Sequence, residues 1–417
     1  MTLESEVIAA LTRARAAAPR MALANTAEKN RALKTLAGAI RASADKIVVA
    51  NQKDLKRASE DGRTGAFVER LTLNPARIEA MAHSVEEVVA LQDPVGGVIE
   101  RSTRPNGLEI TKVRVPLGVI AMIYESRPNV TIDAGALCFK AGNAAVLRGG
   151  KEALETNAFL AGLIAAALKE GGLNPDAVTF IRNTDREVIQ IMKQRPELID
   201  LIIPRGGKQL KDALKGSAVP ILPHFDGLCH TYVDRAADLK MALEICVNAK
   251  CSRPSVCNSM ENLVVHREVA EKFLPEFASR MKTAGVEMRG DEIARKIVPE
   301  MRAASDEDWD TEYLDLILSI KVVDSIDEAI AFIERHSSHL ADAIVTADAE
   351  AARRFEREVD SATVYVNAST RFTDGFEFGF GAETGISTNR LHARGPMGLN
   401  ELTTYKYIIA GNGQVRA

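Results

Sequence analysis

The chain has 417 residues, more than the roughly 250 to 300 that a single hydrophobic core usually organises, so we expect two domains and an appendage. Hydrophobic residues make up 46% and charged residues 26% of the sequence, a balance typical of globular proteins that excludes long disordered stretches. The formal charge of -4, without a Lys/Arg run interleaved with aromatic residues, argues against a nucleic-acid partner.

The start of the chain and its hydropathy predict a cytoplasmic protein. The first residues have an amphipathic helical pattern that soon reaches Arg13 and Arg15, so they lack the basic-then-apolar order of a secretory signal. No window has the ~18 consecutive apolar residues that cross a bilayer. The longest candidate, 115–124, is interrupted by Pro116 and Gly118. We therefore expect no membrane association.

Helices are predicted for residues 1 to about 95, where alanine and charged residues recur at helical spacing. The clearest helix start is Asn74, an N-cap residue that is followed by Pro75 at the first helical position. Farther along the chain, Ser325 and Glu328 have the spacing of a capping box that opens another helix.

Two β-rich runs in residues 98–115 flank Pro105-Asn106-Gly107. Because Asn-Gly tolerates the positive φ of a tight turn, this segment is predicted to be a β-hairpin. Near the C-terminus, residues 405–410 form another β-like run, which would be an exposed edge if it stayed unpaired. We expect it to pair with the hairpin or with another subunit.

Apolar β-like runs alternate with helical patterns from Gly118 onward. This alternation is typical of βαβ units, in which helices cover both faces of a parallel sheet. A second α/β block is expected between residues 226 and 383. The predicted strands of the first block are 119–124, 144–147, 178–181 and 198–203.

Two of these strands run into glycine pairs, Arg148-Gly149-Gly150 and Arg205-Gly206-Gly207. At the carboxyl end of a parallel strand, glycines let a ligand approach backbone N–H groups, and the following Lys151 and Lys208 add positive charge. Gly-Gly is also an ordinary turn from strand to helix, and the GxGxxG fingerprint is absent. The pattern suggests a nucleotide site and leaves both interpretations open.

The chain contains five cysteines, an odd number that, without an export signal, indicates reduced thiols. Neither a CxxC pair nor an HExxH motif is present, so we predict no metal site. Cys138, Cys229 and Cys246 have apolar neighbours and are expected to be buried structural thiols. Cys251 and Cys257 lie among small and polar residues, where a thiol can be exposed and reactive. Local composition does not choose between them.

Arg127 follows the first predicted strand of the parallel block, at the end where α/β sheets meet ligands. A guanidinium can bind a phosphate bidentately. An arginine in an ordinary surface loop fits the sequence equally well, so the residue alone does not define a site.

Several stretches resemble the aldehyde dehydrogenase superfamily and, within it, the family of γ-glutamyl phosphate reductases. The resemblance covers essentially the whole chain, and together these stretches are more specific than any single motif. The stretches are 116–131, 140–153, 200–208, 253–258 and 381–398.

The resemblance implies an aldehyde dehydrogenase-like α/β fold in three parts. Residues 1–97 and 116–225 would form a Rossmann-like NADPH-binding domain, and residues 226–390 an α/β catalytic domain. Residues 98–115 and 400–417, the hairpin and tail, would form a small β element for oligomerisation.

The family's Arg-Pro-x-Val-Cys-Asn pattern matches residues 253–258 and implies that Cys257 is the nucleophile. The same match argues against Cys251 as the nucleophile. The backbone N–H of Cys257 would be one oxyanion donor, and Asn129 or Arg127 another. The resemblance does not choose between these two side chains, and Arg127 could instead hold phosphate.

The implied cofactor is NADPH/NADP. Arg148 takes the place of a lysine that contacts the adenosine ribose in aldehyde dehydrogenases, and Lys151 is nearby as a candidate for the 2′-phosphate. Glu312 falls where the superfamily has a glutamate that holds the nicotinamide ribose. The implied cofactor-binding residues are Arg148, Gly149, Gly150, Lys151, Gly206, Gly207 and Glu312.

Two departures from the family occur in residues 222–230. Hydrolytic members carry a general-base glutamate here, whereas this chain has none. A thioester that is resolved by hydride or phosphate needs no base to activate water, so the departure favours an acyl phosphate reductase. The stretch His224-Phe225-Asp226 is also unusual for the narrower family.

The implied reaction is the NADPH-dependent reduction of L-glutamate 5-phosphate to L-glutamate 5-semialdehyde with release of phosphate. It would proceed through a cysteine thioester, in proline biosynthesis, in a cytoplasmic homo-oligomer that is functionally coupled to glutamate 5-kinase. One alternative is an NAD(P)-dependent dehydrogenase of another small aldehyde or acyl phosphate. Another is a non-catalytic relative, against which Cys257 and Glu312 weigh.

Overall fold

The computed structural model describes residues 2–63, 65–125, 127–222 and 226–416. The chain divides into two compact units. The first comprises Met1–Phe225, Gly379–Gly385 and Met397–Ala417, and the second comprises Asp226–Phe378 and Ile386–Pro396. The predicted hairpin and tail both lie in the first unit.

Helices make up most of the N-terminal part of the chain and alternate with strands thereafter. The α-helices are α1 (Leu3–Ala22), α2 (Thr26–Ala42), α3 (Ala44–Glu60), α4 (Ala66–Leu71), α5 (Pro75–Ala90), α6 (Asn129–Lys140), α7 (Leu154–Glu170), α8 (Glu187–Met192), α9 (Lys208–Ala213), α10 (Leu239–Cys251), α11 (Arg267–Thr283), α12 (Glu292–Ile297), α13 (Ile326–His336) and α14 (Ala349–Glu358). Short 3₁₀ helices lie at Lys151–Ala153, Pro175–Ala177, Asp306–Asp310 and Thr370–Phe372.

The strands begin after the N-terminal helices. They are β1 (Val98–Thr103), β2 (Glu109–Pro116), β3 (Val119–Tyr124), β4 (Ala144–Gly149), β5 (Val178–Phe180), β6 (Leu201–Arg205), β7 (Cys229–Val233), β8 (Met260–His266), β9 (Glu287–Gly290), β10 (Arg302–Ala303), β11 (Ile317–Val323), β12 (Ala341–Val345), β13 (Thr363–Val366), β14 (Ile386–Ser387), β15 (Gly395–Pro396) and β16 (Thr403–Ala410).

The first unit is built on a parallel sheet with the strand order β5-β4-β3-β6. Strands β3 and β4 are buried along their whole length, as expected for parallel strands that have both faces covered. Val119, Ala121 and Ile123 of β3 share a core with Val7 and Leu11 of α1. The predicted parallel α/β block is confirmed, and β6 begins at Leu201 rather than at residue 198.

Strands β1 and β2 form the predicted antiparallel hairpin, and β16 pairs with β2 along its full length. Gly107 has a φ of +84° at the turn, which is the conformation that favours glycine. Pairing of the C-terminal run with the hairpin is therefore confirmed. The side chains of Tyr405, Tyr407 and Ile409 on β16 remain exposed in the chain.

The second unit contains a parallel sheet with the strand order β10-β9-β11-β8-β7-β12-β13. One core packs α10 and α11 on this sheet and includes Phe273, Phe277 and Met281. The second predicted α/β block is thus present. Within the described ranges, no helix combines the length and the apolar character needed to cross a membrane.

Two predicted helix starts can be compared with the structure. Helix α5 begins at Pro75, and the side chain of Asn74 accepts a hydrogen bond from Arg77 N, as predicted. At α13, Ser325 accepts from the Glu328 N–H at 3.2 Å, but the Glu328 carboxylate accepts from the N–H of Asp324 at 2.8 Å. The reciprocal bond therefore extends one residue beyond the predicted capping box.

Asp54 on α3 caps the first turn of α7, the helix that follows the Gly149-Gly150 turn. Its buried carboxylate accepts hydrogen bonds from Glu155 N at 3.2 Å, Thr156 N at 2.8 Å and Thr156 Oγ1 at 2.7 Å. A carboxylate at a helix N-terminus satisfies backbone donors that have no partner within the helix. Asp54 thereby holds α7 against α3.

Asp54→Ala should lower the free energy of unfolding by about 2 to 4 kcal/mol, because buried donors of α7 lose their acceptor. Urea unfolding followed by circular dichroism measures the change. Asp45→Ala is the matched control, since Asp45 is an exposed acid in the first turn of α3, and it should cost less than about 1 kcal/mol. Equal effects of the two substitutions would contradict the capping role.

Candidate active site

Gly227, Cys257 and Glu312 lie close together in the second unit. They precede β7, β8 and β11, which are neighbouring strands of one parallel sheet. Because the amino ends of parallel strands meet at the same edge, residues far apart in sequence are brought together there. The structure thus brings two predicted site residues, Cys257 and Glu312, into contact with the same Gly227 loop.

Cys257 lies in a turn between α10 and β8 and is half-buried. Its backbone carbonyl accepts a hydrogen bond from the Cys229 thiol at 3.3 Å. Its side chain packs against a small apolar cluster that includes Leu340 and Ile386. The turn is therefore held by a hydrogen bond from β7, and the thiol is only partly buried.

Gly227 packs its backbone directly against the backbone of Cys257. A Cβ at Gly227 would lie 1.9 Å from the carbonyl oxygen and 2.4 Å from the Cα of Cys257, so no side chain fits. The N–H of Gly227 donates to Oε1 of Glu312 at 2.9 Å. Glu312 therefore ties the Gly227 loop, and through it the Cys257 turn, to the segment that precedes β11.

Burial raises the pKa of two carboxyl groups in this unit to about 7. For Glu312 the desolvation is partly offset by the Gly227 N–H, while Asp226 adds to the increase. For Glu261 the desolvation is opposed by Lys250, whose ammonium lies 2.6 Å from the carboxylate. Burial also lowers the pKa of Lys250. Burial thus disfavours the ionised form of both carboxyl groups.

The other cysteines have environments that differ from that of Cys257. Cys138, Cys229 and Cys246 are buried, as predicted, and burial raises the pKa of each thiol. Cys251 is half-buried and packs against the core, with its sulfur 3.9 Å from that of Met281. Burial raises its pKa too. Cys251 thus lies beside the core that α10 and α11 form, whereas Cys257 lies in the turn before β8 beside a smaller cluster.

A cavity of about 820 Å³ lies in the first unit, at the carboxyl ends of β3 and β4. The predicted residues Arg148, Gly150 and Lys151 line it. Cationic side chains outnumber acidic ones among its described lining residues. The cations are Arg57, Arg63, Arg70, Arg148, Lys151 and Arg186, and the acids are Asp61, Glu125 and Glu152.

The Arg148 guanidinium fits a role in ligand binding. One of its nitrogens, Nη2, donates to the carbonyl of Thr184 at 2.6 Å, while Nε is buried without a partner among the described residues. Burial lowers the pKa of Arg148. A buried cation with an unsatisfied donor beside a basic cavity suits an anionic, hydrogen-bonding ligand such as a phosphorylated dinucleotide.

The glycines of the two pairs have different surroundings. A Cβ at Gly149 would meet the side chains of Asn157 and Tyr124, so this glycine is required for packing. The N–H of Gly207 is hydrogen-bonded to the Glu125 carboxylate. Gly206 also packs against that carboxylate. These contacts favour the ordinary turn interpretation for Gly149, Gly206 and Gly207, and Gly150 alone among the four lines the cavity.

Arg127 and Asn129 line a second, smaller cavity of about 70 Å³ in the first unit, together with Arg205. The side-chain amide of Asn129 donates to Oδ2 of Asp133 at 2.9 Å. Burial raises the pKa of Asp133. The structure therefore brings the two alternative oxyanion donors together in one cavity and does not choose between them.

Sequence reasoning missed several cations of the large cavity. Arg57 lies near the end of α3, Arg63 follows that helix and Arg70 lies on α4. These residues are more than 75 positions before Arg148, and nothing in their local pattern distinguishes them from surface charges. The unusual residues His224 and Phe225 and the side chain of Lys208 lie outside the described part of the chain.

Comparisons with known proteins agree with this architecture. The sequence profile of the aldehyde dehydrogenase family matches residues 2–303 and 304–408. The chain is 52% identical over 412 residues to a γ-glutamyl phosphate reductase of Caldanaerobacter subterraneus, covering 99% of this chain and 100% of that protein.

Solved structures show the same relationship. The crystal structure of γ-glutamyl phosphate reductase from Thermotoga maritima has a TM-score of 0.97 and 46% identity, covering 99% of this chain and 100% of that one. An engineered glycolyl-CoA reductase with bound NADP⁺ has a TM-score of 0.69 at 14% identity, covering 96% of each chain, and shares the fold.

Two parallel α/β units, one with a basic cavity and one with a cysteine turn, define the aldehyde dehydrogenase class of nicotinamide-dependent oxidoreductases. The high identity over the full length of two relatives assigns the chain to one family within this class. The chain belongs to the aldehyde dehydrogenase family and, within it, to the γ-glutamyl phosphate reductases. The predicted family and fold class are thereby confirmed.

Glu312→Gln should change how stability depends on pH. Folding raises the pKa of Glu312 to about 7, so the folded protein binds this proton more tightly than the unfolded chain does. That contribution to stability is present below the unfolded-state pKa and is lost as the pH rises through the folded pKa. Relative to wild type, the unfolding free energy of Glu312→Gln should therefore increase by about 1 to 3 kcal/mol between about pH 5 and about pH 8.

Urea unfolding followed by the fluorescence of Trp309, the single tryptophan of the chain, measures this difference in the second unit. Glu276→Gln on the exposed face of α11 is the control, and its difference from wild type should not vary with pH. A pH-independent difference for Glu312→Gln as well would show that Glu312 does not titrate in this range.

Proposed function

We propose that this chain catalyses the NADPH-dependent reduction of L-glutamate 5-phosphate to L-glutamate 5-semialdehyde, with release of phosphate, as a step of proline biosynthesis. One observation carries the proposal. Cys257, the cysteine of the Arg-Pro-Ser-Val-Cys-Asn turn, is held by Gly227 in a chain about half identical to reductases named for this substrate. No general-base glutamate occupies residues 222–230, which fits a thioester that is not hydrolysed.

Cys257 acts as the nucleophile in the first chemical step. Its thiolate sulfur attacks the acyl carbon of the substrate and forms a tetrahedral oxyanion. When this species collapses, the bond between the acyl carbon and the phosphate oxygen breaks, phosphate leaves and a thioester remains on Cys257. We assign oxyanion stabilisation to the backbone N–H of Cys257 and to either Asn129 or Arg127.

NADPH, when bound, supplies the hydride that reduces the thioester carbonyl. The resulting hemithioacetal then collapses, the aldehyde leaves and the electron pair of the C–S bond returns to the Cys257 sulfur. A half-buried turn that is fixed by Gly227 and Cys229 keeps this sulfur in place through both steps. Glu312 is proposed to hold the nicotinamide ribose, and its hydrogen bond to Gly227 would link that contact to the nucleophile turn.

The cavity of about 820 Å³ in the first unit is the proposed cofactor site, with Arg148 at the adenosine ribose and Lys151 at the 2′-phosphate. Arg57, Arg63, Arg70 and Arg186 add positive charge to the same cavity. This excess of cations supports NADPH over NADH, because the two cofactors differ by one phosphate group.

The proposal includes a cytoplasmic homo-oligomer with functional coupling to glutamate 5-kinase. The hairpin of β1 and β2 together with β16 is the proposed oligomerisation element. Its support is the exposed apolar side chains of Tyr405, Tyr407 and Ile409 on β16, next to an open strand edge.

The reaction run in reverse tests the chemistry. Glutamate 5-semialdehyde and NADP⁺ should produce NADPH only when phosphate is present, because phosphate must release the acyl group from the thioester. Cys257→Ala should lower this rate by about a thousandfold or more. NADPH absorbance in the presence and absence of phosphate measures both effects.

Cys251→Ala is the matched control and should keep its activity, since the Cys251 thiol packs against the core. NAD⁺ should replace NADP⁺ only poorly. Production of NADPH without phosphate would instead indicate a hydrolytic dehydrogenase, and full activity of Cys257→Ala would exclude the thioester at this residue.

A further inference from the structure

Arg371 lies in the 3₁₀ helix Thr370–Phe372 and reaches the two ends of the Cys257 turn. Its Nε donates to Oγ of Ser252 at 3.1 Å, and its Nη1 donates to Oδ1 of Asn258. Ser252 precedes the turn and Asn258 directly follows Cys257. The half-buried guanidinium is thus aligned along the segment that carries the nucleophile.

Asn258 is itself held rigidly. Its side-chain amide donates to the carbonyl of Thr373 at 2.8 Å, and its own carbonyl accepts from the Thr370 hydroxyl at 2.8 Å. With only 4% of its surface exposed, Asn258 has little freedom to move. Its amide oxygen therefore orients Arg371 without neutralising the guanidinium.

The positive charge of Arg371 has neutral hydrogen-bond partners. In the described ranges, no carboxylate forms an ion pair with it. Burial lowers its pKa and the nearby Arg253 guanidinium lowers it further, whereas Asp374 and the Cys257 thiol act in the opposite direction. The guanidinium of Arg371 thus lies along the turn that carries Cys257 without a carboxylate partner among the described residues, and an anion bound there would offset the cost of its partial burial.

We propose that Arg371, with Arg253 beside it, forms an oxyanion-binding subsite next to Cys257 that holds an anionic group of the substrate. A guanidinium fixed through Nε and Nη1 suits the planar or tetrahedral oxygens of a carboxylate or a phosphate. The identity of the substrate rests on the proposed function. In that substrate the group is either the 5-phosphate or the carboxylate at the other end of the molecule.

Alkylation of Cys257 tests the subsite without turnover. In a Cys251→Ala background, anionic iodoacetate and neutral iodoacetamide compete for the Cys257 thiol, and peptide mass spectrometry gives the two rates. An anion subsite raises the iodoacetate rate relative to the iodoacetamide rate. Arg371→Met should lower this rate ratio by about tenfold or more, the loss expected for one charged hydrogen-bond partner.

Arg357→Met, an exposed arginine on α14, is the control and should leave the ratio unchanged. Arg371→Lys keeps the charge and should retain part of the preference for iodoacetate. If circular dichroism shows that Arg371→Met is unfolded, the alkylation rate ratios of Arg371→Lys and Arg253→Met test the subsite instead. A ratio that is unchanged in the folded Arg371 variants would overturn the proposal.

Kinetics of the reverse reaction then identify the bound group. A KM for phosphate that rises about ten- to hundredfold in Arg371→Met, with the KM for semialdehyde unchanged, assigns the subsite to phosphate. The opposite pattern assigns it to the carboxylate, and unchanged KM values for both would refute a substrate contact. Failure of the wild type to form NADPH would refute the proposed function while leaving the alkylation result intact.

Discussion

The close approach of Gly227 to Cys257 is the constraint on which the second unit's site depends. The two backbones are so near that no side chain can lie between them. The loop before β7 and the turn before β8 therefore behave as one packed layer at the amino edge of the sheet. Hydrogen bonds from the Cys229 thiol to the Cys257 carbonyl, and from Gly227 N–H to Glu312, hold this layer from both sides.

For the proposed nucleophile, Cys257, placement on such a layer has a chemical advantage. A nucleophile must be accessible, but a displacement of about 1 Å can cost about a hundredfold in rate. The turn leaves Cys257 half-buried while its backbone is fixed by packing. Burial raises the pKa of Glu312 to about 7, so protonation of Glu312 affects the hydrogen bond that holds the Gly227 loop. The same contact thus holds the loop and, in the proposed mechanism, supports the nucleophile.

Much of the fold could be predicted because its signals are local. Asn106-Gly107 specified the hairpin turn, Asn74-Pro75 the start of α5, and continuous apolar runs the buried strands β3 and β4. The capping pattern at Ser325 was only partly right, because the Glu328 carboxylate accepts from the N–H of Asp324, one residue before the predicted N-cap.

The site could be predicted less completely, because its contacts join distant segments. Composition did not separate Cys251 from Cys257, and both thiols are half-buried in the structure, so the choice of Cys257 rests on the family pattern in residues 253–258. Arg57, which lines the large cavity, lies on an N-terminal helix. Arg371, which contacts the Cys257 turn, is more than a hundred residues after it in sequence. No spacing rule reports such contacts, and the roles proposed for Arg148 and Glu312 rest on family resemblance.

The most direct measurement of the central claim compares Gly227→Ala with Gly38→Ala, in which a Cβ meets nothing within 4 Å. Phosphate-dependent NADPH formation is measured for both variants, and circular dichroism checks that each is folded. The packed-layer account predicts that Gly227→Ala loses activity by about a hundredfold or more, since the added Cβ must displace the Cys257 turn, and that Gly38→Ala keeps it. A folded Gly227→Ala variant with wild-type activity would contradict the account.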